Sequence, residues 1–103
     1  MIQLVENKMN ELRKICSKNS VEELYLFGSA VSGTYTRDSD LDFAVIFKKS
    51  LLPLEHGDAF FNLKDDLESL FNCNIDLISY RVVKNPVFKQ ELDNTKVSVY
   101  AAA

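Results

Sequence analysis

Ten residues separate Gly28-Ser29, at the end of one apolar stretch, from Asp40-Leu41-Asp42, at the mouth of another. Glu23-Leu24-Tyr25-Leu26-Phe27 reads as a strand, and Gly28 stops it. Leu41 to Phe47 is a run of aliphatic, β-branched and aromatic residues and reads as a second strand. If the glycine turn and the carboxylates serve one site, the exit of the first strand must meet the entrance of the second. Adjacent antiparallel strands do that directly. Side-chain alternation then sends Asp40 and Asp42 to one face, and Leu41 and Phe43 to the other.

The remaining segments supply the layers around these strands. Leu4, Val5, Met9, Leu12, Ile15 and Cys16 fall at helical spacing, which predicts an amphipathic helix over 3–17 that the polar run Ser17 to Ser20 ends. Phe60, Leu63, Leu67, Leu70 and Phe71 predict a helix over about 54–71, with Gly57 leaving its start open. Asn74 to Ser79 reads as a short third strand. Asn85-Pro86 is a cap followed by a first-turn proline, so a helix should run from Pro86 to about Asp93. Val97 to Tyr100 reads as a last short strand. The predicted order is αβ(α)βαβαβ, an α/β (α+β) architecture with helices packed on a small mixed sheet. A chain of 103 residues holds one core and not two, so residues 1–100 are expected to form a single domain. Residues 101–103, all alanine, read as an appended tail, with three native alanines as the alternative.

Composition excludes several classes. Hydrophobic residues make up 47% of the chain, too many for a disordered one. A formal net charge of −3 argues against a nucleic-acid footprint. No apolar run approaches the roughly 20 residues that span a bilayer, and nothing reads as a signal peptide, so no membrane association and a cytoplasmic location are expected. Cys16 and Cys73 lie far apart without metal spacing and read as reduced, core-facing thiols. His56 is the single histidine; with no nucleophile beside it, it reads as a solvent-facing or helix-start residue. No plausible zinc ligand set exists.

The chemistry gathers at one sheet edge. The second strand, the 54–71 helix and the third strand form a crossover unit, which pairs its strands in parallel. Parallel pairing brings Asp76, at the entrance of the third strand, beside Asp40 and Asp42. Carboxylates this close repel unless a cation lies between them. Mg²⁺ suits them, because it takes oxygen ligands and binds one or two carboxylates together with substrate phosphates. Gly28 and Ser29 offer backbone N–H groups and a hydroxyl at the start of a short helical turn, an anion site. Phosphates beside a carboxylate-bound Mg²⁺ imply a nucleoside triphosphate. Two look-alikes fail. Gly28 to Gly33 has P-loop glycine spacing, but Thr34 stands where the lysine belongs. Asp38, Asp40 and Asp42 imitate half of an EF-hand loop, but Phe43 and Lys49 occupy its glycine and glutamate positions. Asp38, Ser39 and Thr34 read instead as turn residues, and Gly33 as the bend after the short helix.

Gly28-Ser29, Asp40-Leu41-Asp42 and, a helix later, Asp76 resemble the signature of the DNA polymerase beta nucleotidyltransferase superfamily. The short chain resembles its minimal nucleotidyltransferases, from the first helix to Tyr100. The resemblance implies a nucleotidyltransferase fold in which Asp40, Asp42 and Asp76 are catalytic and bind two Mg²⁺ ions. It implies that Gly28 and Ser29 contact the triphosphate of ATP or another nucleoside triphosphate. One departure stands out: Ala30 follows Gly-Ser where many members carry arginine, and Arg37 is the cation nearest in sequence. The resemblance further implies transfer of a nucleoside monophosphate, AMP from ATP, to a hydroxyl. The expected acceptor is a tyrosine of a helical HEPN-type toxin encoded nearby, with this chain as antitoxin. Two other readings stay open. One is a non-catalytic subunit that masks such a partner; the other is a subunit of a small-molecule (aminoglycoside-type) nucleotidyltransferase.

Overall fold

The structure, a computed structural model, describes residues 2–36 and 38–102. Along the chain run α1 (Gln3–Glu6), α2 (Met9–Lys18), β1 (Val21–Phe27), α3 (Ser29–Ser32) and β2 (Leu41–Phe47). A 3₁₀ turn (Pro53–Glu55) leads into α4 (His56–Phe71), followed by β3 (Ile75–Ser79), a second 3₁₀ turn (Tyr80–Val82), α5 (Pro86–Thr95) and β4 (Val97–Ala101). The strands form one mixed sheet in the order β3-β2-β1-β4. β1 pairs antiparallel with β2 and with β4, and β2 pairs parallel with β3. The predicted element order and mixed sheet are borne out, and β2 has the predicted bounds.

Alternation along the strands divides the sheet into two faces. Leu24, Leu26, Leu41, Phe43, Val45, Ile75 and Leu77 turn to one side and are buried there with Leu12 and Cys16 of α2 and Leu63, Leu67 and Phe71 of α4. This is the main core, and it consumes the apolar stripes of both long helices. The other face carries Phe27 and Ala44, covered by Leu92 of α5. α5 is fixed at its start by Asn85, whose Oδ1 accepts the N–H groups of Val87 at 3.0 Å and Phe88 at 3.2 Å. That capping satisfies two of the donors a helix start leaves free.

Four expectations need adjustment. The first helix is broken into α1 and α2, because Lys8 takes φ −121°, ψ 20°, outside the helical region. β1 begins at Val21, two residues before the expected Glu23, because Val21 pairs with Phe47 across a register shift that the polar Glu22 disguises. α5 extends through Thr95, whose hydroxyl donates to the Glu91 carbonyl at 2.8 Å. β4 extends through Ala101, one residue past the expected Tyr100, and the Ala102 N–H donates to the Glu22 carbonyl at 2.8 Å. His56 is exposed and opens α4, as expected. Both cysteines are free; Cys16 is fully buried, whereas Cys73 is half-buried at the edge of the core.

Candidate active site

The sheet register sets the site. Phe27 of β1 lies opposite Asp42 of β2, and Asp42 lies opposite Asp76 of β3. Register partners share a face, so the two carboxylates stand side by side on neighbouring strands about 4.8 Å apart. Asp40 lies just outside β2 and is exposed, as is Asp76. The Leu41 N–H donates to the Asn74 carbonyl at 3.2 Å, which ties the mouth of β2 to the start of β3. The predicted gathering of Asp40, Asp42 and Asp76 at one edge of a mixed sheet is therefore what the fold produces.

Gly28 completes the edge from the β1 side. Its backbone takes φ 75°, ψ −149°, a conformation glycine adopts without steric cost. A Cβ on Gly28 would run into Asp42 Oδ2. The missing side chain thus holds the backbone turn directly against the carboxylate. From Gly28 the chain enters α3, where the Val31 and Ser32 N–H groups both donate to the Gly28 carbonyl at 3.0 Å. The N–H groups of Ser29 and Ala30 precede the first of these bonds, as at any helix start. Gly33 closes the turn in the left-handed region at φ 89°. Thr36, Asp38 and Ser39 form the connecting turn before Asp40: the Ser39 N–H donates to the Thr36 carbonyl at 3.0 Å, and Ser39 Oγ accepts from the Thr36 N–H at 3.1 Å.

Crowding of like charge shows in the titration of Asp42. Its pKa is raised from 3.8 to about 6, first by burial, then by the charge of Asp76 and a hydrogen bond shared with it, and last by the charge of Asp40. A half-buried acid beside two others gains from a bound cation. Among the described residues, no three His, Cys, Asp or Glu side chains close into a ready-made metal cage. Mg²⁺ needs none, since one or two carboxylates, waters and substrate phosphates satisfy it. The Asp42–Asp76 pair and the backbone cradle of Gly28 fit that requirement.

Two features of the edge were not legible in the sequence. Ala30, where many members of the resembled family have arginine, is buried in the main core, so its position presents an apolar methyl group and no cation. Arg37, the cation nearest in sequence, lies outside the described residues. Tyr35 and Cys73 also lie near the charge of Asp40: burial raises both of their pKa values, and that charge adds to the rise. They come from segments far apart in sequence, and no local pattern joins them.

Comparison with known proteins agrees with this geometry. The family model for polymerase beta, nucleotidyltransferase, matches residues 10–103. A curated relative from Methanocaldococcus jannaschii, provisionally named a protein adenylyltransferase, is 29% identical over 82 residues, 80% of each chain. A toxin–antitoxin complex solved with AMP-PNP is similar at a TM-score of 0.69 and 27% identity, over 91% of this chain and 73% of that one. A structure provisionally described as a minimal nucleotidyltransferase shares the fold at a TM-score of 0.71 and 24% identity, over 93% of this chain and 95% of its own. The strand-ending Gly-Ser, the paired aspartates and the third aspartate on the parallel strand thus sit in a matched domain, and the chain belongs to the polymerase beta nucleotidyltransferase family.

Proposed function

We propose that this chain transfers AMP from ATP to a tyrosine hydroxyl of a helical HEPN-type toxin and acts as its antitoxin. The observation that carries the reading is the Asp42–Asp76 register pair set against the bare backbone of Gly28. The toxin–antitoxin complex with AMP-PNP and the adenylyltransferase relative support the choice of nucleotide and of a protein acceptor.

In this reading Ser29 and the backbone N–H groups after Gly28 hold the β- and γ-phosphates. Asp40, Asp42 and Asp76 would hold Mg²⁺, two ions in the full complement, which when bound neutralise charge on the attacking and leaving oxygens. The acceptor oxygen attacks the α-phosphorus, and the bond from that phosphorus to the oxygen bridging to the β-phosphate breaks. Pyrophosphate leaves, and the hydroxyl proton passes to the Asp76 carboxylate. Exposure of Asp40 and Asp76 at the open sheet edge leaves room for a partner's tyrosine to approach in line.

The test is intact mass spectrometry of the protein incubated with ATP, Mg²⁺ and the helical product of the adjacent gene. The partner should gain adenylyl groups on tyrosine, and Asp42→Asn should lower the yield by orders of magnitude, because metal-assisted charge stabilisation is worth several kcal/mol. A partner that binds tightly yet stays unmodified would overturn the transfer reading and favour masking.

A further inference from the structure

β1 delivers more than the glycine turn to the carboxylate edge. Phe27, the residue before Gly28, lies opposite Asp42 in the register and on the same face. Phe88, in the first turn of α5, packs edge-on against it, with ring centroids 6.2 Å apart and planes at 72°. Phe27 is 9% exposed, but Phe88 remains 38% exposed although its partner is core. Its position is fixed, because Asn85 caps its N–H at 3.2 Å. Phe27 therefore lies one strand spacing from Asp42, and Phe88 one ring beyond it. A ribose bridges such a span between an α-phosphate at the carboxylates and its base. The other aromatic pair described on this face, Tyr25 and Tyr80, is already occupied: Lys96 lies over both rings at 5.2 and 5.7 Å, and Lys89 over Tyr80 at 5.4 Å.

We propose that the exposed face of Phe88, backed by Phe27, is the stacking platform for the base of the bound nucleotide. This rests on the nucleotide-site reading above and adds the residue that holds the nucleoside end. The platform acts by contact with the base and takes no part in the chemistry at phosphorus.

Titration with ATP and with inorganic tripolyphosphate, both in Mg²⁺, separates the two claims. Phe88→Ala should weaken ATP about tenfold, the scale of one base–aromatic stack, and leave tripolyphosphate unchanged. Phe88→Trp should keep ATP affinity. The chain contains no tryptophan of its own, so the emission of this variant reports the site alone, and ATP but not tripolyphosphate should quench it. Unchanged ATP affinity in Phe88→Ala, or equal losses for both ligands, would overturn the platform. If Phe88→Ala does not fold, the tryptophan signal decides, and absence of quenching at saturating ATP overturns it. Wild-type protein that binds ATP and tripolyphosphate equally removes the platform and leaves the phosphate site standing. Wild-type protein that binds neither refutes the nucleotide site, and the platform with it.

Discussion

Asp42 faces a carboxylate across the parallel ladder and the bare backbone of Gly28 across the antiparallel one. Its raised pKa makes it a cost to the metal-free fold. Below pH 3.8 the group is protonated in both folded and unfolded chains and contributes nothing. As pH rises from 3.8 to about 6, the unfolded chain ionises while the folded chain resists, so the cost grows and then levels off. Asp42→Asn should therefore stabilise the metal-free protein by about 1–2 kcal/mol near neutral pH, a figure discounted for solvent at the open edge. The gain should fade below about pH 4, a trend that urea melts across pH in EDTA would measure. A stabilising gain that persisted in acid would contradict this origin. Gly28→Ala goes the other way: its Cβ meets Asp42 Oδ2 and its backbone keeps φ 75°, so about 1–3 kcal/mol of stability and most nucleotide binding should be lost. Circular-dichroism melts and ATP titration of that variant check it. The residue types at this edge were legible because alternation and spacing place Asp40, Asp42 and Asp76 without any structure. The closeness of Gly28 to Asp42 was not, because it depends on a φ value and a register that only pairing creates.

At the scale of elements, legibility followed whether the deciding forces were local. β2 was readable to the residue because both faces of a central strand are buried and its sequence is nearly continuous apolar residues. The start of β1 was not, because Val21 is strand only through its pairing with Phe47 on the far side of a bulge. Gly57 obscured the start of α4, yet it lies in the exposed first turn, where nothing stands within 4 Å of its Cβ position. The start of α5 was readable because Asn85-Pro86 carries its own capping chemistry. This cap also sets Phe88 over Phe27. Asn85→Ala should cost about 1 kcal/mol, which in a domain of this size lowers the melting midpoint by roughly 4–8 °C. Calorimetric melts would show it, and an unchanged midpoint would mean that packing of Leu92 alone secures the helix.

Over the whole molecule, the main core between α2, α4 and the sheet supports an edge on which Asp40 and Asp76 are exposed and Asp42 is half-buried. None of the described helices is long and apolar enough to cross a membrane. A fold of this kind is stabilised by whatever binds its native edge. At a hundredfold excess over Kd, ATP with Mg²⁺ should add about 2.7 kcal/mol to stability, and thermal melts with and without EDTA would show it. Like charge gathered at Asp40, Asp42 and Asp76 disfavours a bare triphosphate, so binding should depend on the cation that joins them. The most direct measurement is an isothermal titration of ATP into the wild-type protein and Asp42→Asn, each with Mg²⁺ and with EDTA. Wild-type protein should bind ATP in Mg²⁺ and lose that binding in EDTA, and Asp42→Asn should bind weakly in both. Equal affinity of the wild-type protein in Mg²⁺ and EDTA would contradict a carboxylate-and-metal nucleotide site.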